Sequence, residues 1–189
     1  MVKLRHFLYA PNQITILRLV FVAPVIVSIL YGYYTAAFVL VLIAGLSDGV
    51  DGLLARKLGQ QTTLGTYLDP IADKLLLTSS FIALGVSGHL PLWLIILVLS
   101  RDIIIIATVL VIILTTPIRT LPPSLYGKAN TAAQIGTVML TLLALIRPTE
   151  WLESLAAKGV YLTAAFTVLS GLHYAVTTAA RLRGMDRTS

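Results

Sequence analysis

The sequence contains no cysteine and very few charged residues. The absence of cysteine from its 189 residues excludes disulfide bonds and thiolate chemistry, without identifying a cellular compartment. Charged residues make up only 12% of the chain, whereas hydrophobic residues make up 57% and the mean hydropathy is +0.90. An ordinary soluble domain carries about twice that share of charge. The composition therefore predicts an integral membrane protein.

Long apolar segments separated by short polar breaks indicate how the chain crosses the membrane. A helix needs roughly 20 residues to span the hydrocarbon core. The expected transmembrane helices are Ile14–Tyr33, Thr35–Ala55, Leu68–Ser87, Pro91–Thr115, Thr131–Ile146 and Gly159–Ala180. These six helices leave almost no sequence for a second domain, so residues 1–189 are expected to form a single all-α transmembrane domain. Residues 1–10 lack the apolar core and cleavage site of a signal peptide, so the first helix is expected to remain as an anchor.

Basic residues are distributed unevenly between the two ends of these helices. Nine of the 14 fall on one side: Lys3, Arg5, Arg56, Lys57, Arg119, Lys128, Arg181, Arg183 and Arg187. Only Arg147 and Lys158 fall on the other side, and the remaining three lie within helices or at their ends. Because basic loops stay in the cytoplasm, both termini and the 47–74 segment are expected on the cytoplasmic side. The expected membrane is a bacterial inner (plasma) membrane. Aromatic residues expected at the outer interface are Tyr31, Tyr33, Tyr34, Trp93 and Trp151.

The net charge of +6 follows from the same asymmetry. Basic loops on the cytoplasmic side attract the anionic head groups of membrane lipids. No nucleic-acid partner is therefore expected.

Four of the eight acidic residues lie in the segment SDGVDGLLARKLGQQTTLGTYLDPIADK (47–74). Asp48 and Asp51 are three residues apart and Asp69 and Asp73 are four apart, so each pair shares one face of a helix. Ionised carboxylates in membrane helices cost roughly a few kcal/mol each, and a divalent cation would offset that cost. If the second and third helices are antiparallel neighbours, both pairs converge near the cytoplasmic end. Oxygen ligands without nearby histidine or cysteine favour Mg²⁺ or Mn²⁺ over zinc.

The same segment has alternative interpretations. Its carboxylates could instead pair with Arg56, Lys57 and Lys74 or form solvated helix ends. Small residues at four-residue spacing, such as Gly45 and Gly49, also permit close packing of membrane helices. Glycines that alternate with acids favour a groove in which a ligand approaches the backbone. In such a groove Arg56 would donate to phosphate oxygens, so the expected substrate is a diphosphate. The expected reaction is a displacement at phosphorus, or at a carbon that bears the diphosphate, catalysed mostly by positioning and charge stabilisation.

The pattern D-x2-D-G-x2-A-R-x8-G-x3-D-x3-D within this segment resembles the signature of the CDP-alcohol phosphatidyltransferases. All eight fixed positions are present: Asp48, Asp51, Gly52, Ala55, Arg56, Gly65, Asp69 and Asp73. The segment PNQITILR (11–18) resembles the first helix of this family, and the resemblance spans nearly the whole chain. It implies a six-helix membrane fold that forms a homodimer. It also implies transfer of a phosphatidyl group from CDP-diacylglycerol to an alcohol, with release of CMP.

The resemblance further implies roles for the residues of the signature. The implied metal ligands are Asp48, Asp51, Asp69 and Asp73. Asp73 would also act as the general base on the acceptor hydroxyl. The implied nucleotide-binding positions are Gly52, Ala55, Arg56 and Gly65. The three small residues would leave room for the cytidine nucleotide, and the arginine would lie near its phosphates.

Two later segments bear on the acceptor alcohol. SRD (100–102) and GKANT (127–131) resemble the eukaryotic-type cardiolipin synthases, which use phosphatidylglycerol. Phosphatidylglycerophosphate synthases share a similar Gly-Lys-x-x-Thr segment, but they show Arg-Glu in place of Arg101 and Asp102 and then a second Arg-Glu pair. Phosphatidylglycerol is therefore the expected acceptor, and glycerol 3-phosphate is the alternative. Candidate ligands of the acceptor's phosphate are Arg101, Arg119 and Lys128, although positive-inside topology would also place basic residues there.

Two other classes of protein fit part of this pattern. Intramembrane prenyltransferases also surround a diphosphate with aspartates and Mg²⁺, but they are generally longer and lack the Gly-Ala-Arg spacing. Cation transporters also carry membrane aspartates. Here the carboxylates are all grouped at one face of the protein, and no acidic residue is expected near the middle of the later helices. Both features argue against an ion path across the membrane. We interpret the scattered His6, His89 and His173 as interfacial or packing residues.

Overall fold

The computed structural model describes residues 10–58, 63–115 and 125–186, with side chains described for 17–47, 72–112, 114 and 125–179. The described helices are α1 (Ala10–Leu30), α2 (Tyr34–Leu58), α3 (Thr63–Val86), α4 (Leu92–Thr115), α5 (Leu125–Ile146) and α6 (Glu150–Asp186). Short turns connect the helices wherever the connection is described. The prediction of an all-α fold with six helices in this order is confirmed.

Three of these helices are long and apolar enough to cross a membrane, within the described residues. Their spans are Leu92–Ile112, Leu125–Ile146 and Glu150–Ala179. Shorter apolar segments are Leu17–Leu30 and Tyr34–Ser47. On α4, Ile96, Ile103 and Leu110 are each more than half exposed, which suits contact with lipid tails. The chain is therefore a membrane protein, and the crossing of the membrane by all six helices remains a prediction.

The packing of the helices places α1 at the centre of one half of the bundle. α1 packs against α2 and α3, α5 packs against α2 and α6, and α4 packs against α6. The core between them is apolar and fully enclosed at Val25, Phe81, Leu84, Leu94 and Leu142, which are all 0% exposed. Burial of apolar side chains in this core stabilises the bundle by roughly 1.5–3 kcal/mol for each of the larger ones.

α1 ends three residues before the predicted Tyr33 because Gly32 adopts a φ of +77°. That left-handed conformation is readily available only to glycine. The N–H of Tyr33 donates to the carbonyl of Ser28 at 2.8 Å, which is the closing bond of a Schellman motif. Gly88, also with a φ of +77°, ends α3 in the same way.

Aromatic residues gather at the end of the bundle that holds these two turns. The hydroxyl of Tyr34 lies 2.8 Å from Nε2 of His89, which joins the α1–α2 turn to the α3–α4 turn. The ring of Trp93 lies 6.1 Å from that of Tyr161 on α6. His89 therefore packs against an aromatic ring, as expected from the sequence. This arrangement agrees with an aromatic belt at one membrane interface.

α6 begins at Glu150, nine residues before the predicted Gly159. Acidic residues in its first turn complement the positive end of the helix dipole. Gly159 instead marks a close approach to α5, because a Cβ there would lie 3.1 Å from Oγ1 of Thr137. Lys158 consequently lies within α6 and not before its first residue, as the predicted start at Gly159 implied. Only residues 147–149 connect α5 to α6.

Polar side chains join α5 to α6 along their shared face. The hydroxyls of Thr137 and Thr163 are 2.8 Å apart, and the hydroxyl of Thr167 donates to Oδ1 of Asn130 at 2.8 Å. Hydrogen bonds of this kind link helices within membranes. Oδ1 of Asn130 is therefore paired across the interface, whereas its buried Nδ2 has no hydrogen-bond partner among the described residues. The polar GKANT segment is helical, and α5 starts six residues before the predicted Thr131.

Candidate active site

Asp73 on α3 forms an ion pair with Arg18 on α1. The Arg18 side chain is only 2% exposed, whereas that of Asp73 is 44% exposed. A guanidinium buried in an apolar helix is costly unless a carboxylate faces it, and the packing of α1 on α3 supplies that carboxylate. Arg18 was not among the predicted site residues. An arginine inside an otherwise apolar helix is the signal that could have found it.

A cavity of about 330 Å³ lies beside this ion pair, lined by α1, α2, α3 and α5. Its polar lining consists of Arg18, Asp73, Lys74, Ser80 and Thr131. The rest of its lining consists of Val41, Ala44, Gly45, Leu76, Leu77 and Ile135. Charged groups beside an apolar wall suit a ligand with an anionic head and an apolar tail.

Of the four predicted metal ligands, only Asp73 has a side chain within the described part of the chain. Asp48 and Asp51 lie in the second half of α2 and Asp69 lies in the first half of α3. Among the described side chains, no group of three or more acidic, histidine or cysteine residues could hold a metal ion. The partly exposed carboxylate of Asp73 is an oxygen donor of the kind that Mg²⁺ or Mn²⁺ takes, so it fits such an ion. Convergence of the four aspartates remains a prediction.

The predicted nucleotide-binding positions flank the connection between α2 and α3. Gly52, Ala55 and Arg56 lie in the final two turns of α2, and Gly65 lies in the first turn of α3. α3 begins at Thr63 and not at the predicted Leu68, so the connection between α2 and α3 is shorter than expected. All eight signature residues therefore lie within these two helices. The side chains at these positions lie outside the described residues, so their contact with a nucleotide stays a prediction.

A second charged cluster, formed by Lys74, Arg101 and Asp102, links α3 to α4 and extends to α6. Nζ of Lys74 lies 2.5 Å from Oδ2 of Asp102, and Nη1 of Arg101 lies 2.8 Å from its Oδ1. Arg101 also donates to the hydroxyl of Ser170 on α6. Asp102 is 8% exposed and lies near the middle of α4. The expectation of no acidic residue near the middle of a later helix is therefore wrong, and two cations compensate this buried carboxylate.

The three predicted acceptor ligands occupy different settings. The terminal nitrogens of Arg101 contact Asp102 and Ser170, and its buried Nε has no hydrogen-bond partner among the described residues. Lys128 is exposed near the start of α5. Arg119 lies outside the described residues. The described part of the chain therefore places Arg101 in the charged cluster and does not place Lys128 there.

Comparison with known proteins agrees with the signature in α2 and α3. The family model for CDP-alcohol phosphatidyltransferase matches residues 8–177. The chain is 34% identical over 186 residues to "Probable phosphatidylglycerophosphate synthase" of Mycobacterium tuberculosis, covering 94% of this chain and 85% of that protein. It is 35% identical over 181 residues to "Probable cardiolipin synthase (CMP-forming)" of Drosophila melanogaster, covering 87% of this chain and 56% of that protein.

A third relative has a name that specifies its acceptor. "CDP-diacylglycerol--glycerol-3-phosphate 3-phosphatidyltransferase" of Bacillus subtilis is 31% identical over 180 residues, covering 87% of this chain and 92% of that protein. The relatives thus carry the names of two phospholipid synthases that differ in their product. The chain itself belongs to the CDP-alcohol phosphatidyltransferase family and is an enzyme of phospholipid synthesis.

Proposed function

We propose that this enzyme transfers a phosphatidyl group from CDP-diacylglycerol to phosphatidylglycerol, forming cardiolipin and CMP. The observation that carries this choice of acceptor is the 330 Å³ cavity, in which charged side chains adjoin an apolar wall. A lipid acceptor would place its phosphate near the basic residues of that cavity and an acyl chain along Leu76, Leu77 and Ile135. The Drosophila melanogaster relative, named a probable cardiolipin synthase, supports the same acceptor.

Glycerol 3-phosphate is the second candidate acceptor. The Mycobacterium tuberculosis relative is named a probable phosphatidylglycerophosphate synthase, and the Bacillus subtilis relative is named for transfer to glycerol 3-phosphate. Both acceptors present a phosphate and a glycerol hydroxyl, so the same catalytic chemistry serves either. The apolar wall of the cavity is the feature that favours the lipid.

In the proposed reaction the acceptor oxygen attacks the phosphorus that carries the diacylglycerol. A new phosphorus–oxygen bond forms, the phosphoanhydride bond to CMP breaks, and Asp73 accepts the proton of the acceptor hydroxyl. Arg18 forms an ion pair with the carboxylate of Asp73, and both residues line the cavity. Mg²⁺ or Mn²⁺, held by the four aspartates of the signature, would supply charge neutralisation at the diphosphate. Gly52, Ala55, Arg56 and Gly65 would seat the cytidine nucleotide.

The membrane arrangement proposed for the enzyme is a single domain of six transmembrane helices. An even number of crossings puts both termini on one side, and the excess of basic residues makes that side cytoplasmic. The active site then opens to the cytoplasm, into which the product CMP can be released. We further propose a homodimer in a bacterial inner membrane.

The acceptor is tested by offering four alcohols in parallel to the purified enzyme. With labelled CDP-diacylglycerol, the assays contain phosphatidylglycerol, glycerol 3-phosphate, inositol phosphate or serine, and the lipid product is identified in each. We expect cardiolipin as the sole product. Phosphatidylglycerophosphate as the product would reverse the choice of acceptor and leave the phosphatidyl transfer itself in place.

A further inference from the structure

We infer that Lys74, held in place by Asp102, binds the phosphate of the acceptor alcohol. This inference rests on the proposed function, because it assigns a residue to the acceptor side of the same cavity. The phosphate is the shared chemistry of the two candidate acceptors. It is a diester in phosphatidylglycerol and a monoester in glycerol 3-phosphate.

Lys74 lies where its ammonium can reach a ligand in the cavity. Lys74 lines the cavity together with its neighbour in sequence, Asp73. Its side chain is 37% exposed, and its ammonium contacts Asp102 at 2.5 Å. An ammonium has three N–H donors. The contact with Asp102 uses one, so further donors are available to a ligand in the cavity.

The charged cluster has a net positive charge that favours an anionic ligand. Asp102 contributes one negative charge, whereas Lys74 and Arg101 contribute one positive charge each, so these three residues together carry an excess positive charge. The side chains of Arg101 and Asp102 are only 12% and 8% exposed. An excess of positive charge beside an apolar helix interior is costly. A bound phosphate would neutralise it.

The contact with Asp102 fixes the position of the Lys74 ammonium before a ligand binds. A free lysine loses rotamer entropy when it binds a ligand, but Asp102 has already ordered this side chain. Arg101 is ordered in turn by Ser170 on α6. Asp73 and Lys74 can then receive the hydroxyl and the phosphate of one glycerol unit, and an alcohol without a phosphate would lose the second contact.

The test compares Lys74→Met with Lys74→Arg in steady-state assays. Met retains much of the length of the side chain and removes its charge, and Arg101 still neutralises Asp102, so the variant is expected to fold. We expect KM for phosphatidylglycerol, or for glycerol 3-phosphate if that is the acceptor, to rise about 10- to 100-fold. KM for CDP-diacylglycerol and kcat should change by less than about threefold. Lys74→Arg should restore most of the acceptor affinity.

A matched control and a neutral acceptor separate this role from a structural one. Lys158→Met removes an exposed lysine from α6 and should leave every kinetic constant unchanged. Free glycerol, which lacks a phosphate, should react equally slowly with the wild type and with Lys74→Met. An unchanged acceptor KM in folded Lys74→Met would overturn the inference and leave the proposed function standing. Wild-type enzyme that forms no CMP with any acceptor would instead overturn the proposed function.

Discussion

Replacing Asp73 with Asn should abolish phosphatidyl transfer while leaving the protein folded. The amide cannot accept the proton of the acceptor hydroxyl, and loss of a positioned general base alone costs about 10²- to 10⁴-fold in rate. Loss of a charged metal ligand adds to this, so we expect a decrease in kcat of at least about 10³-fold. The amide oxygen can still accept a hydrogen bond from Arg18, which keeps α1 joined to α3. Some stability is lost, because the buried guanidinium no longer faces a negative charge.

The measurement is CMP release from CDP-diacylglycerol, with thermal unfolding recorded on the same preparation. Nucleotide binding should be largely retained, because the other residues of the signature are unchanged. Glu150→Gln, at an exposed carboxylate in the first turn of α6, is the matched control and should turn over normally. Turnover near the wild-type rate in Asp73→Asn would remove the role assigned to this residue.

Replacing Asp102 with Ala should produce the largest loss of stability. The substitution leaves two cations, Lys74 and Arg101, without the carboxylate that they share. Breaking a buried ion pair from one side costs about 3–5 kcal/mol. Because Lys74 is more than a third exposed, we expect the lower end, about 3 kcal/mol. For a chain of this size that corresponds to a fall in Tm of about 6–12 °C, measured by thermal unfolding in detergent micelles.

An apolar replacement of the whole cluster distinguishes charge from side-chain volume. The triple variant Lys74→Met, Arg101→Met and Asp102→Leu removes all three charges and fills similar volume. Apolar replacement of a buried ionic cluster is often neutral or stabilising, so this variant should recover most of the lost Tm. If Asp102→Ala unfolds at the wild-type temperature, the ionic link between α3 and α4 contributes nothing measurable to stability.

The number and order of the helices could be predicted from the sequence because apolar length alone determines which segments suit a membrane. The ends of the helices were less predictable, since they depend on local contacts. α1 ends at a Schellman motif around Gly32. α6 passes straight through Gly159, where the glycine serves contact with Thr137. A glycine that ends one helix and a glycine that lets two helices approach look alike in sequence.

The candidate site was predictable where its residues are close in sequence. The spacing of the aspartates marked Asp73, and the structure places that residue on a cavity. Its partner Arg18 is 55 residues away, and Asp102 is 28 residues from Lys74. Those pairs form only because particular helices pack together, and no spacing rule connects residues on different helices. Arg18 and Lys74 were therefore not predicted as site residues.

The most direct test of metal-dependent phosphatidyl transfer is CMP release by the purified enzyme with and without a divalent cation. Labelled CDP-diacylglycerol and phosphatidylglycerol are supplied, and Mg²⁺ or Mn²⁺ is added or removed with a chelator. We predict that CMP forms only when cation and acceptor are both present, and that chelation stops it reversibly. Absence of metal-dependent CMP with every alcohol acceptor would show that this protein does not catalyse metal-dependent phosphatidyl transfer.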